Sequence, residues 1–173
     1  METGKLVMLD FDGVIADSWC GQRTAFVDTL RAHGWHEFAT SATFRDLPEA
    51  NWFEAISQTG VPEHVVAKLE EAFTASPSPD LFPGMAEVIE RLAEAHPVVV
   101  ITSSDTGAVQ RTLEGHRVRG VAEVVGGDVE PSKMLKIESS RRRYGRLREA
   151  WYVCDTVGDV AEARAAGASV VGA

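Results

Sequence analysis

Leu6-Val7-Met8-Leu9-Asp10-Phe11-Asp12-Gly13-Val14 joins a short apolar run to two carboxylates and a glycine. The run Leu6–Leu9 is apolar at every position, which reads as a strand covered on both faces and therefore as part of a parallel sheet. Residues two apart in a strand point to one side, so Asp10 and Asp12 can converge at its end while Phe11 turns away. Gly13 then lets the chain turn sharply. Two close carboxylates repel one another unless a cation or a shared proton relieves them. The stretch thus predicts a buried strand with a chemically demanding site at its tip.

Further along, Val98–Ile101, Trp151–Cys154 and Ser169–Val171 repeat the pattern of a short apolar strand bounded by Gly, Pro, Asp or Ser, and Val121–Val125 is a weaker fifth. Helical spacing fills the intervals. Met85, Val88, Ile89 and Leu92 share one face of a segment that His96-Pro97 stops. Asp105 caps a helix to about Leu113, Ser132 caps another, and Asp159 opens a last one, Val160–Ala166, closed by Gly167. Strand alternating with helix predicts an α/β fold, a doubly wound (Rossmann-like) parallel sheet.

One interval breaks the alternation. Between the first strand and Pro83-Gly84 only helical signals occur, over Trp19–His33, over Asn51–Gln58 and from Pro62 to about Ser76. Residues 18–81 hold 8 of the 13 aromatics, enough bulk for a core of their own. The expected organisation is a catalytic core of residues 1–17 and 82–173 with a small all-helical cap, 18–81, inserted after the first strand. Ser76-Pro77-Ser78-Pro79-Asp80 reads as the linker back.

A length of 173 residues suits one such unit. Net charge is −9 and the isoelectric point near 5.0, which disfavours phosphate polymers and anionic lipid: no nucleic-acid partner and no membrane partner are expected. Cys20 and Cys154 are too few for a disulfide scaffold. No apolar run approaches a membrane span, and the N-terminus lacks the basic segment and apolar core of a signal peptide, so a cytoplasmic setting is expected. Arg141-Arg142-Arg143-Tyr144-Gly145-Arg146-Leu147-Arg148 carries five arginines, read as a basic helix end and solvated loop in preference to a nucleic-acid patch.

A second acidic pair, Asp155 and Asp159, follows the strand Trp151–Cys154 and opens a helix. Carboxylates gathered at strand ends suit a hard cation such as Mg²⁺. Thr102 ends the strand Val98–Ile101, where its hydroxyl and the following N–H groups can hold a phosphate oxygen. Lys133 stands near a helix N-terminus, an unfavourable place for a cation without an anion nearby. Taken singly, Asp159 reads as a helix cap, Thr102 as a turn residue and Lys133 as a solvated side chain. Together they all fall at the C-terminal ends of strands, where open α/β sheets place their ligands.

The order Asp-x-Asp, Thr, Lys, Asp-x-x-x-Asp resembles the haloacid dehalogenase (HAD) superfamily, in a phosphoglycolate phosphatase-like organisation. The likeness spans nearly the whole chain: Asp10-Phe11-Asp12-Gly13-Val14, Asp17-Ser18, Phe82-Pro83-Gly84, Ile101-Thr102-Ser103-Ser104, Lys133, and Asp155-Thr156-Val157-Gly158-Asp159 with Ala165-Ala166-Gly167. It implies a Mg²⁺-dependent phosphatase acting on a small phosphorylated metabolite through an aspartyl-phosphate. Asp10 would be the nucleophile and Asp12 the general acid and base. Thr102, Ser103 and Lys133 would hold the phosphoryl oxygens, while Asp10, Asp12 (through its backbone carbonyl), Asp155 and Asp159 would hold the metal. Lys136 is a second candidate for the Lys133 role.

Two departures are visible. Cys154 stands where relatives usually carry glycine, and this chain stops at Ala173 where relatives of this capped type usually continue past the fifth strand, so the expectation is an uncovered apolar strand end that invites association. A sugar-phosphate mutase shares every one of these residues, and an impaired relative serving as a binding or structural module is the other alternative. Trp19, Trp35, Trp52 and Phe53 read as the cap's own core more readily than as a substrate entrance, and Arg45, between cap helices, is the kind of residue that could reach a substrate carboxylate.

Overall fold

The computed structural model describes residues 4–47, 55–56, 58–144 and 149–173. Five strands, β1 (Leu6–Leu9), β2 (Val98–Ile101), β3 (Val121–Val125), β4 (Ala150–Cys154) and β5 (Ser169–Gly172), form one parallel sheet in the order β3-β2-β1-β4-β5. The chain winds outward from β1 in one direction to β2 and β3, then crosses back to β4 and β5. A crevice opens at such a reversal, beyond the C-terminal ends of the central strands.

The uniformly apolar strands are explained by two buried faces. Leu6 and Met8 of β1, with Val99, Ile101, Tyr152 and Cys154, pack beneath α6 (Lys133–Arg143) and α7 (Val157–Ala165) through Ile137, Ala163 and Ala166. Val7 and Leu9, with Val98 and Val100, face α4 (Met85–Ala93) and α5 (Thr106–Gly115) through Ile89, Val109 and Leu113. Phe11 continues the second set, so the even-numbered Asp10 is left on the α6–α7 side.

Asp105 and Ser132 cap α5 and α6 as expected, accepting from the amides of Ala108 and Leu135. The last helix differs. It starts at Val157 with Thr156 as its cap, so Asp159 lies inside the first turn and its carboxylate is free of capping. The basic run is tied down: Arg141 donates to the Ala166 carbonyl at the end of α7, Arg142 pairs with Glu138, and Arg143 pairs with Glu123. Arg146 and Arg148 lie outside the described residues.

Between β1 and α4 stand α1 (Trp19–Ala32), α2 (Ser41–Asp46) and α3 (Glu63–Ala75). Their cluster of Phe26, Leu30, Phe44, Val65, Val66 and Leu69 is separate from both sheet faces. The ring of Phe26 sits 5.4 Å from that of Phe44, which also meets Trp19 at 4.8 Å. The chain enters and leaves these helices side by side: Asp17 N–H donates to the Asp80 carbonyl and Phe82 N–H to that of Ile15. Helix α2 was not foreseen, because Ser41-Ala42-Thr43-Phe44 has weak helical propensity; Thr40 caps it through the Thr43 amide. Arg45 therefore lies within a helix, exposed and paired with Asp46. Trp52, Phe53 and most of the expected helix Asn51–Gln58 fall outside the described residues. Among the described residues no helix is long and apolar enough to cross a membrane.

Phe26 is fully buried, so Phe26→Ala is expected to lower unfolding free energy in urea by about 3–5 kcal/mol. Val129→Ala, at a position 63% exposed, should stay within about 0.5 kcal/mol of the parent.

Candidate active site

The site begins where β1 ends. Asp10 is buried; one carboxylate oxygen accepts the Phe11 amide at 2.7 Å and the other accepts Lys133 Nζ at 2.6 Å. Lys133 is the first residue of α6 and is itself buried, and the same ammonium donates to Asp159 Oδ2 at 2.6 Å. One cation thus joins β1, α6 and α7. Burial opposes its charge, but Asp10 and Asp159 outweigh that and hold its pKa above the usual lysine range. The helix-start position, unfavourable for an isolated lysine, is explained by these two anions.

Asp155 stands at the end of β4, against Gly13. A Cβ built on Gly13 would lie 2.0 Å from Asp155 Oδ2, and Gly13 has φ +75°, so the close approach requires glycine twice over. Ligand atoms of Asp10, Asp155 and Asp159 lie within 4.8 Å of one another. Asp159 Oδ1 is buried and has no hydrogen-bond partner among the described residues. Burial, then Asp10, pushes the Asp155 carboxyl up, and burial raises Asp159 against the opposing charge of Lys133. Three carboxylates against one ammonium, with a buried oxygen to spare, form a donor set that fits a hard divalent cation.

Asp12 faces a different neighbourhood. Ser104 Oγ donates to its Oδ2 at 2.6 Å and Gln22 Nε2 to its Oδ1 at 2.8 Å. Burial lifts the Asp12 carboxyl above the usual range, against the lowering effect of Ser104 and Ser18, and the Asp10 charge adds to the lift. Thr102 is fully buried at the end of β2, where its hydroxyl accepts the Ser104 amide at 3.0 Å. Ser103, between them, is exposed. Lys136 does not duplicate Lys133: its ammonium donates to the Thr102 carbonyl, and burial, then Lys133, pulls its pKa down to about 8.

The structure therefore draws Asp10, Lys133, Asp155 and Asp159 together, with Asp12 and Thr102 joined through Ser104. Gln22 and Ser104 were missed by sequence reasoning. Ser104 follows Thr102 by two residues and was legible as part of that loop; a glutamine in a helix gives no signal of its own. Cys154 lies beneath the site, its Sγ 3.9 Å from the Thr156 carbonyl in the loop between Asp155 and Asp159. It is buried on the α6–α7 face of the sheet, and burial, then Asp159, pushes its thiol up to about 11, so it packs as a small apolar group.

The pattern of the haloacid dehalogenase-like hydrolases matches residues 7–173. The chain belongs to that family. Solved structures of the same fold include a haloacid dehalogenase-like hydrolase from Streptococcus pneumoniae, 20% identical with a TM-score of 0.75, covering 99% of this chain and 85% of that one. A second, from Bacteroides fragilis and provisionally named a haloacid dehalogenase-like hydrolase, is 21% identical with a TM-score of 0.81, over 98% and 87% of the two chains. A protein from Lactobacillus plantarum provisionally named a phosphoglycolate phosphatase is 20% identical, with a TM-score of 0.77, over 97% and 85%. No curated protein sequence matches. The HAD family match agrees with the α/β sheet and its five parallel strands.

Gly13→Ala should displace Asp155 and strain the turn. The expected result is a loss of about 1–2 kcal/mol of stability and a fall of about 100-fold in hydrolytic activity, read by urea unfolding and by turnover of the best substrate found for the parent.

Proposed function

We propose that this HAD-family protein is a Mg²⁺-dependent phosphatase that hydrolyses a small phosphomonoester through an aspartyl-phosphate on Asp10. The observation that carries the reading is the pairing at the tip of β1. Asp10 is held by a cation at 2.6 Å beside an acidic cluster, and Asp12, two residues on, has its carboxyl lifted by burial.

In the first step an Asp10 carboxylate oxygen attacks phosphorus, forming an O–P bond as the bond from phosphorus to the substrate's ester oxygen breaks. Asp12, in its protonated form, gives its proton to that departing oxygen. In the second step water attacks phosphorus and gives a proton back to Asp12, while the Asp10 O–P bond breaks and inorganic phosphate leaves. The lifted carboxyl of Asp12 suits this alternation, because a larger share of it stays protonated, and so available to donate, nearer neutral pH. Lys133 and Thr102 would bind the phosphoryl oxygens, with Ser103 supplying its backbone at the mouth. Mg²⁺, held by Asp10, Asp155, Asp159 and the Asp12 carbonyl, would neutralise phosphoryl charge when bound.

Residues 18–81 are read as a cap over a core of 1–17 and 82–173. Gln22 supports this division functionally, since it carries α1 to Asp12 directly. The two backbone hydrogen bonds and the single antiparallel bridge Ala16–Leu81, where the chain leaves and rejoins residues 1–17 and 82–173, support this division. A cap in this place would shield the phosphoryl group from bulk water and read the alcohol portion of the substrate.

Inorganic phosphate release should be measured over a panel of phosphorylated metabolites, with Mg²⁺ and with chelator. Release is expected only with metal, and Asp10→Asn should lower it by at least ~1,000-fold. Turnover by Asp10→Asn at the parent rate would refute the mechanism, and an isomerised phosphate in place of free phosphate would mark a mutase.

A further inference from the structure

The first turn of α6 carries an electrostatic burden. Lys133 and Lys136 are both buried there, while a helix start has partial positive charge and amides without internal partners. Ser132 serves one of those amides, accepting from Leu135 at 3.3 Å. The next is served from another helix: Met134 N–H donates to Glu162 Oε2 at 2.6 Å.

Glu162 follows Asp159 by three residues in α7, so the two carboxylates share a face. Helix α7 therefore grips α6 twice within one turn, Asp159 on the Lys133 ammonium and Glu162 on the adjoining amide. The charges of Asp10, Glu162 and Glu130 all favour the Lys136 ammonium, so the carboxylate that holds the Met134 amide also offsets the second lysine. An amide hydrogen bond to a charged acceptor is among the stronger kinds, and this one is short.

We propose that Glu162 is a positioning residue, anchoring the first turn of α6 so that the Lys133 ammonium stands between Asp10 and Asp159. The placement is a property of the fold; only its effect on turnover rests on the phosphatase reading. The backbone of Lys133 adjoins the Met134 amide, so loosening that amide frees the stem of the lysine to swing away from one carboxylate or both.

The test uses the full chain labelled with ¹⁵N-lysine, in which the Lys133 side-chain ammonium signal is assigned by its absence from Lys133→Met protein. The signal should be sharp in the parent and lost to broadening in Glu162→Ala. It should be kept in Glu162→Gln, whose amide oxygen still accepts from Met134. Glu162→Asp, shorter by one methylene, should broaden it, which keeps the test available if the alanine variant fails to fold. Arg164→Ala, exposed on the same helix, should leave it unchanged. In turnover, Glu162→Ala should lower kcat/KM about tenfold, with rescue by glutamine. A sharp, unshifted ammonium signal in both Glu162→Ala and Glu162→Asp would overturn the proposal. If the parent hydrolyses no phosphomonoester while the signal still follows Glu162, the functional reading fails and the positioning role stands.

Discussion

A single buried ammonium organises this molecule. Lys133 lies between Asp10 and Asp159 at 2.6 Å from each, and those three residues come from a strand and two different helices. Charges taken out of water are tolerated only when they are paired and hydrogen-bonded, so the position of α6 and α7 over β1 is constrained by electrostatics as well as by apolar packing. The apolar contacts of Ile137 and Ala163 would tolerate small slides. The ammonium would not.

The sheet supplies the other half of the arrangement. Strand parity sends Leu6, Met8 and Asp10 to the α6–α7 side and Val7, Leu9 and Phe11 to the other, so the carboxylate arrives opposite Lys133 with no adjustment. Gly13 then lets the turn after β1 pass against Asp155, bringing a third carboxylate into a cluster that one ammonium cannot neutralise. That excess of negative charge, with a buried Asp159 oxygen that has no hydrogen-bond partner among the described residues, is the observation on which the proposed divalent cation rests.

Most of this framework was legible because it depends on local pattern. Uniform apolar runs marked β1, β2 and β4, and Asp105 and Ser132 marked helix starts by the capping they perform. Asp10, Asp155, Thr102 and Lys133 were legible because strand ends are where such sheets hold ligands. What escaped depends on tertiary approach. Gln22 reaches Asp12 only because α1 folds back over β1, Glu162 caps an amide of another helix, and Lys136, the second candidate for the Lys133 role, serves a carbonyl instead. Asp159, a helix cap when taken singly and a metal ligand by the family resemblance, is free of capping because Thr156 takes that task, and so it faces Lys133.

The most direct test of this account is the stability of metal-free Lys133→Met protein as a function of pH. Without the ammonium, Asp159 is buried without its cation partner, and burial lifts its carboxyl further above that of the unfolded chain. Acids raised in this way contribute stability at low pH that is lost as pH climbs through the folded pKa. The account predicts a variant about 3–5 kcal/mol less stable than the parent at pH 8, with the deficit shrinking as pH is lowered toward 5. A Lys133→Met protein that matches the parent at pH 8, or that keeps a constant deficit down to pH 5, would contradict it.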